Sequence, residues 1–344
     1  MRAVFLTGIR GVEVRDVPSP RIERPTDVLL AVEVVGMCGS DMHYYKDGRI
    51  GSQVVEFPWI VGHECAGTVL EAGPEAGLKV DGRVAVDPLV WCMECDQCRA
   101  GRYHTCRNQA FLGCPGQLAG SLAERLVMPA ASCFPIPDGM TFERAALTEP
   151  FAIALHAAGL ADIPAGGSAA ILGAGPIGLC VLAALRAQLD VRAYVTELLE
   201  PRLALARRMG ARAAFQAAGG AGALEIATAE PLGVDVVFEC AGRQETLDEA
   251  VELLKPGGQL VLVGIPAGNR ISLDMNLLRR KELRVQNVRR QNERVPQAIE
   301  MVHSGRVDLD PLVTHRFPLA EAAEAFELVA DYRDGVVKAM VRVA

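Results

Sequence analysis

The residues best suited to chemistry lie in two short segments of the first third of the chain. Cys38 offers a thiolate, while His63 and Glu64 offer an imidazole and a carboxylate. All three are good zinc ligands, and a site with only three protein ligands keeps a fourth position open for water or substrate. Ser40 and His43 follow Cys38 by two and five residues, close enough to handle a proton released at the metal. The pattern predicts a catalytic zinc centre.

A second metal site is predicted from four closely spaced cysteines. Two residues separate each of the first three, and seven residues precede the fourth, so one short loop can wrap an ion. Four thiolates complete a tetrahedral zinc shell and leave no open position, which indicates a structural role. An iron–sulfur cluster is the alternative, and zinc is favoured because no Cys-Pro signature follows. The four ligands are Cys92, Cys95, Cys98 and Cys106.

A glycine-rich turn predicts a dinucleotide site. It follows the apolar strand expected at 169–172 and opens the helix expected at 179–187, in the order that the dinucleotide fingerprint requires. The pyrophosphate would lie at the helix N-terminus, where free N–H groups favour anions. An acidic residue ending the next strand would bind the adenosine ribose and favour NAD over NADP, although a nearby arginine would soften that preference. The residues assigned to the cofactor are Gly173, Gly175, Pro176, Ile177, Gly178, Glu197 and Arg202.

Together these sites predict oxidation of an alcohol. Zinc lowers the pKa of bound water from about 15.7 to about 7, and an alcohol should respond similarly. The resulting alkoxide can transfer hydride to the nicotinamide, while Ser40 and His43 carry the proton away. Glu149 precedes a proline at the expected domain boundary, where its carboxylate would complete the metal shell or hold the zinc-bound water.

Composition limits the partners of the chain. Its net charge is −7 and its isoelectric point is about 5.5, which argues against nucleic-acid binding. No apolar run approaches the roughly 20 residues that span a bilayer. Ten cysteines in a sequence that begins without a secretion signal indicate metal ligands or reduced thiols, and hence the cytoplasm.

The chain is long enough for two domains. Up to about residue 137 short strands are broken by Gly and Pro, which favours a barrel or sandwich. After residue 150 strands alternate with Ala-rich helices, which favours βαβ units and a parallel sheet. Past residue 289 the rhythm breaks, with helices near 296–304 and 320–330 and strands at 313–317 and 336–343. The other expected strands are 3–6, 12–17, 28–35, 65–71, 83–87, 123–128, 169–172, 191–195, 234–238, 259–263 and 283–288.

These motifs together resemble the medium-chain zinc-dependent alcohol dehydrogenases, and within them the sorbitol (polyol) dehydrogenase branch. The resemblance covers nearly the whole chain. It implies an α/β protein with a GroES-like β-barrel catalytic domain at 1–152 and 289–344 and a Rossmann NAD-binding domain, with a doubly wound parallel sheet, at 153–288. The motifs that carry it are Cys38–Tyr44, Gly48–Gly51, Gly62–Glu64, the cysteine loop, Glu149-Pro150, Gly173–Gly178 and Pro311–Leu319.

The resemblance also implies the reaction and the roles of single residues. The expected activity is NAD-linked oxidation of a secondary hydroxyl of a sugar alcohol, such as sorbitol or xylitol, to the ketose. Each subunit would hold one catalytic and one structural zinc, and the enzyme would be a homotetramer, with a dimer as the alternative. The catalytic zinc would be held by Cys38, His63 and Glu64 with Glu149 near it, the proton relay would use Ser40 and His43, and the substrate would contact Tyr44 and Arg289.

Two departures from the branch concern the cofactor and the substrate, and the second of them leaves the substrate open. Glu197 stands where aspartate is more common, and Arg290 follows Arg289 where animal sorbitol dehydrogenases carry an aromatic residue, which alters the expected pocket. One alternative is a sister enzyme acting on threonine, a vicinal diol or a simple secondary alcohol. A different class is a non-catalytic scaffold that binds NAD or zinc, but a scaffold has no need of an open metal site.

Overall fold

In the computed structural model of the protein, which describes residues 1–266 and 268–343, the almost continuously apolar strand Asp27–Gly36 is the centre of a seven-stranded sheet. Such a run suits a strand that is buried on both faces. One edge of this strand pairs with Glu64–Ala72, and the other pairs first with Arg125–Pro129 and then with Lys338–Arg342. Strands from both ends of the sequence therefore meet on one central strand.

This sheet belongs to the first of two compact units, which contains Met1–Glu149, Val295–Gly305 and Val313–Ala344. Its ladders are antiparallel except for the last two strands, which run parallel to each other. We number its elements with those of the second unit, in chain order. The strands of the first unit are β1 (Arg2–Gly8), β2 (Gly11–Asp16), β3 (Asp27–Gly36), β4 (Arg49–Ile50), β5 (Gln53–Val54), β6 (Glu64–Ala72), β7 (Arg83–Val86), β8 (Leu89–Val90), β9 (Ala110–Phe111), β10 (Arg125–Pro129), β11 (Cys133–Pro135), β18 (Val313–Pro318) and β19 (Lys338–Arg342).

The helices of this unit are few and mostly short. The longest carries Glu149 directly before Pro150, and the division between the two units falls between these residues. The helices are α1 (Gly39–Asp47), α2 (Asp96–Arg99), α3 (Phe142–Gly159, which continues into the second unit), α9 (Val295–His303) and α10 (Ala322–Ala330).

The second unit contains Pro150–Arg294 and Arg306–Leu312 and is built on a six-stranded, wholly parallel sheet. Its strand order is β14-β13-β12-β15-β16-β17, the doubly wound order in which the chain reverses direction beside its first strand. The elements are β12 (Ser168–Leu172), α4 (Pro176–Gln188), β13 (Arg192–Glu197), α5 (Glu200–Arg208), β14 (Ala213–Gln216), α6 (Ala221–Ala229), β15 (Val234–Glu239), α7 (Gln244–Leu253), β16 (Leu254–Leu262), α8 (Met275–Lys281) and β17 (Arg284–Asn287).

The sequence predicted neither α1 nor β14. The first turn of α1 contains glycine, serine and aspartate, which have weak helix propensity. The sequence of this segment therefore does not indicate a helix. β14 reads Ala-Ala-Phe-Gln and lacks the β-branched residues that mark a strand. β16 begins at Leu254 rather than at residue 259, because an irregularity next to Pro256 and two glycines extends it.

Ala267 and Ala344, which the expected domain ranges include, lie outside the described residues. Within the described residues, no helix combines the length and apolarity needed to cross a membrane.

Candidate active site and metal centres

Cys38, His63 and Glu64 form one compact group of potential metal ligands. A thiol sulfur, an imidazole nitrogen and a carboxylate oxygen from these residues all lie within 4.8 Å of one another. His63 and Glu64 are buried, while Cys38 is half-buried. A mixed sulfur, nitrogen and oxygen donor set with one accessible side fits a catalytic zinc ion.

Asp41 connects the two segments that carry these ligands. Its Oδ2 accepts a hydrogen bond from the Cys38 backbone N–H at 3.0 Å, and its Oδ1 accepts one from the Gly62 N–H at 3.2 Å. The same Oδ1 lies 3.6 Å from His63 Nδ1. Carboxylates that face the second ring nitrogen of a histidine ligand orient the ring and raise its basicity. Asp41 therefore positions both Cys38 and His63.

The surroundings of the three clustered donors are electrically negative. Burial alone would lower the pKa of His63, but the adjacent charges of Cys38 and Asp41 raise that pKa well above its ordinary value. Burial also raises the pKa of Glu149 to about 8, helped by the charges of Glu64 and Asp87 and opposed by that of His63. The structure thus places Glu149 in the electrostatic field of the ligand group, although it is not one of the three clustered donors.

The two residues of the expected proton relay both lie on α1. Ser40 and His43 are half-buried. His43 Nδ1 lies 3.2 Å from Asp47 Oδ2, one helical turn further along. An Nδ1–H donated to Asp47 leaves Nε2 as the ring nitrogen that can accept a proton.

The two expected substrate contacts lie in different units. Tyr44 belongs to the first unit and is buried, and its hydroxyl donates to Gln53 Oε1 at 3.2 Å. Arg289 belongs to the second unit and is exposed. The next residue, Arg290, has a left-handed φ of 54°.

The four-cysteine loop has the arrangement expected of a structural zinc site. Its four thiol sulfurs all lie within 4.8 Å of one another. Hydrogen bonds from the backbone at Arg107 and Cys98 lower the pKa of the Cys95 thiol to about 6, while burial raises that of Cys98 to about 12. Arg107 Nη2 also donates to Asp96 Oδ2 at 2.8 Å, which fastens the loop after its last cysteine. Four sulfur donors fit zinc.

The glycine turn has the geometry of a dinucleotide site. Gly173 has a left-handed φ of 102°, and Gly175 caps α4, which begins at Pro176. The Glu197 carboxylate accepts a hydrogen bond from the backbone N–H of Ala174 at 3.0 Å. It also accepts hydrogen bonds from the backbone N–H groups of Leu198 and Leu199. These bonds leave acceptor capacity for a ribose hydroxyl, because a carboxylate has about four lone-pair sites.

Arg202 lies beside the Glu197 carboxylate, where the sequence predicted an arginine that softens the preference for NAD. Its Nη1 is 3.9 Å from Glu197 Oε2, and both side chains are largely buried. A Cβ on Gly175 would lie 3.8 Å from the same Nη1, so the guanidinium also faces the glycine turn. Arg202 therefore partly neutralises the charge that would repel a 2′-phosphate.

Replacing Gly178 with alanine is expected to weaken cofactor binding by about tenfold or more, which corresponds to about 1.4 kcal/mol. A Cβ at this position would overlap the Gly173 carbonyl oxygen, so the turn would have to move. Titration of reduced cofactor by fluorescence measures the change. Gly8→Ala is the control, because a Cβ there meets no atom within 4 Å. Unchanged affinity in Gly178→Ala would contradict the assigned role of the turn.

Comparison with known proteins agrees with these sites. Residues 24–138 match the family described as alcohol dehydrogenase GroES-like domain, and residues 176–304 match that described as zinc-binding dehydrogenase. The chain is 37% identical over 343 residues to the sorbitol dehydrogenase of Bacillus subtilis (strain 168), which covers 99% of this chain and 97% of the relative. The chain belongs to the medium-chain zinc-dependent alcohol dehydrogenases.

Within this family it falls in the polyol dehydrogenase branch. A candidate D-xylulose reductase of Rhizobium meliloti (strain 1021) is 36% identical over 348 residues, covering 99% of this chain and 98% of the relative. A candidate zinc-binding dehydrogenase of Sinorhizobium meliloti 1021, solved with bound NADP, superposes with a TM-score of 0.90 at 31% identity and covers 99% of both chains. The predicted family, fold class, zinc and nicotinamide dependence are confirmed, and the roles of individual residues stay predictions.

Sequence reasoning gave no role to three residues that lie beside the clustered donors. Asp41 had a detectable signal, since it follows the N-cap residue Cys38 by three positions, the spacing of a capping box. Gly36 and Lys338 had none, because their contacts with Glu64 arise only when distant strands pair.

Proposed function

We propose that this enzyme uses NAD to oxidise a secondary hydroxyl of a sugar alcohol, such as sorbitol or xylitol, to the ketose. The observation that carries this proposal is the group of one thiol, one imidazole and one carboxylate whose donor atoms all lie within 4.8 Å of one another. The relatives named sorbitol dehydrogenase and D-xylulose reductase support a polyol as the substrate.

In this proposal Cys38, His63 and Glu64 hold the catalytic zinc, with Glu149 beside it. When bound, zinc supplies the Lewis acidity that makes an alcohol hydroxyl easier to deprotonate. Ser40 Oγ would accept the hydroxyl proton, and His43 would take up that proton and release it to solvent. When bound, NAD would act as the two-electron acceptor, taking the hydride that leaves the substrate carbon and so balancing the oxidation of the alcohol.

The remaining assignments follow from the same activity. Residues 1–152 and 289–344 form the catalytic domain, and residues 153–288 bind NAD. Tyr44 and Arg289 contact the substrate hydroxyls. Two zinc ions are bound per subunit, and the subunits assemble as a homotetramer, with a dimer as the alternative that sedimentation would distinguish. The free cysteines favour a reducing compartment, the cytoplasm.

A substrate panel tests this function. Purified zinc-loaded enzyme is assayed with NAD or NADP and with sorbitol, xylitol, galactitol, threonine, butane-2,3-diol or propan-2-ol, following absorbance of the reduced cofactor. NAD-linked oxidation of one or more polyols is expected. Turnover confined to the last three substrates would move the enzyme to a sister branch. No measurable turnover of any of these substrates, with zinc and NAD both bound, would favour a non-catalytic scaffold.

Replacing His43 with alanine is expected to slow turnover by about a hundredfold at low pH and by less as the pH rises. The relay needs a base most where hydroxide is scarce, so solvent replaces His43 more readily at high pH. The kcat measured against pH, with and without added imidazole, checks this expectation. His303→Ala, at an exposed position on α9, is the control. A loss of equal size at every pH would indicate a structural role.

A further inference from the structure

The most unusual buried charge of the first unit is Lys338, at the start of β19. Its side chain is 1% exposed, and that of its partner Glu64 is 2% exposed. Lysine is almost never fully buried unless it is paired, because its ammonium loses its hydration. Lys338 Nζ donates to Glu64 Oε2 at 2.6 Å, to Glu64 Oε1 at 2.8 Å and to the Met37 carbonyl oxygen at 3.0 Å. These three acceptors match the three hydrogens of an ammonium group.

The ammonium is placed between the two segments that carry the metal ligands. Met37 directly precedes Cys38, and Glu64 directly follows His63. Pairing of β3 with β6 sets Gly36 opposite Glu64, and pairing of β19 with β3 sets Met340 opposite Gly36. Because β3 lies between β6 and β19, Lys338 reaches Glu64 across β3.

Gly36 makes room for the carboxylate in this position. A Cβ on Gly36 would overlap Glu64 Oε2, the oxygen that makes the shorter of the two bonds to Lys338. The Glu64 side chain is thus confined between the bare backbone of β3 and the ammonium of β19. Both of its oxygens already accept hydrogen bonds from a cation.

We propose that Lys338 is a positioning residue that shares the Glu64 carboxylate with the catalytic metal and keeps that metal less tightly bound than its three ligands alone would. The inference rests on the proposed zinc site. A carboxylate that donates electron density to an ammonium is a weaker metal ligand, and the ammonium also repels a dication. Without Lys338 the metal would be the cation that neutralises the buried Glu64. Both effects weaken the binding of the metal.

Lys338→Met is therefore expected to lower the zinc dissociation constant of the catalytic site by about tenfold to a hundredfold, the effect of one nearby unit charge in a protein of moderate effective dielectric. The measurement is a chelator-competition titration of the full-length protein. Cys38→Ser, which removes the catalytic site, supplies the signal of the cysteine loop for subtraction. Unchanged or weaker zinc binding in Lys338→Met would overturn the inference.

Charge and ligand controls separate this effect from general disruption. Lys338→Arg keeps the charge and is expected to bind zinc within about threefold of the native protein, whereas tightening of the size expected for methionine would overturn the inference. Adding Lys338→Met to a Glu64→Gln protein is expected to tighten zinc binding several-fold less than the same change does in the native protein, since only the direct repulsion between the ammonium and the metal is then removed. Tightening of the full size in the Glu64→Gln background would show that the carboxylate is not shared and would also overturn the inference.

A kinetic measurement covers the case in which metal-free Lys338→Met does not fold. The zinc-loaded variant is mixed with excess chelator, and the release of the catalytic zinc is timed. Release is expected to be at least about tenfold slower than from the native protein, since affinity differences within one site lie mostly in dissociation. Equal or faster release would overturn the proposal.

These measurements need no substrate, so they distinguish the two proposals. If no substrate of the panel were oxidised but Lys338→Met bound zinc more tightly, the polyol activity would be contradicted and the role of Lys338 would be supported. A native protein that binds one zinc, with the same content after Cys38→Ser, would overturn the catalytic metal site and the role of Lys338 together.

Discussion

Cys38→Ser and His63→Ala are each expected to reduce turnover by about a thousandfold or more while cofactor binding is retained. Each change removes one of the three clustered donors, and the Lewis acidity of a catalytic metal contributes several kcal/mol to the transition state, at about 1.4 kcal/mol per factor of ten. The glycine turn lies in the second unit, which contains neither residue. Steady-state kinetics, zinc content and fluorescence titration of reduced cofactor check the three parts of this expectation.

Matched controls show whether the loss of turnover comes from the loss of a metal ligand rather than from general disruption of the fold. Cys133→Ser changes a buried thiol in the same unit that is not among the clustered donors, and is expected to keep turnover within about threefold. His303→Ala serves in the same way for the histidine. If Cys38→Ser or His63→Ala retained most of its activity, the assignment of the catalytic metal would be wrong.

Cys98→Ser is expected to lower stability strongly before it affects chemistry. Cys98 is buried and is one of the four clustered sulfurs, and structural zinc contributes directly to folding free energy. We expect zinc content to fall from two to one per chain, with a loss of several kcal/mol of unfolding free energy. Because burial raises the pKa of this thiol to about 12, zinc must displace its proton, so the zinc affinity of the loop falls as the pH decreases.

Calorimetry, metal analysis and kcat at a temperature where the variant stays folded test this expectation. Glu94→Gln is the control, because it changes an exposed residue of the same loop that lies between two of the ligands. A Cys98→Ser protein with unchanged heat stability and two zinc ions would show that the loop is not a folded zinc site.

The clustering of the candidate ligands could be predicted from the sequence because metal chemistry depends on residue type and local spacing. Cys38, His63, Glu64 and the four loop cysteines carry their identity in their donor atoms, and the structure brings each set within 4.8 Å. The parallel sheet was predictable for a related reason, since alternating apolar strands and helices permit few topologies.

The residues that support the ligands could not be found in this way. In the sequence Val337-Lys338-Ala339-Met340-Val341, the lysine looks like the polar end of a half-buried strand. Only the pairing of β19 with β3 reveals that it is buried against Glu64. The need for glycine at position 36 likewise depends on the register of β3 against β6, which no local pattern specifies.

The pairing of β19 with β3, two strands that lie far apart in the sequence, has a consequence for the synthesis of the protein on the ribosome. Lys338 follows Met37 by 301 residues, which at about 5–20 residues per second takes the ribosome about 15–60 s. Until β19 is made, Glu64 lacks its ammonium partner and part of β3 lacks its neighbouring strand. Prematurely terminated chains keep an uncompensated carboxylate beside an open strand edge, features that expose incomplete products to chaperones and proteases. Lys338, which adjusts metal binding in the folded enzyme, therefore also compensates the charge of Glu64 only after β19 has been made.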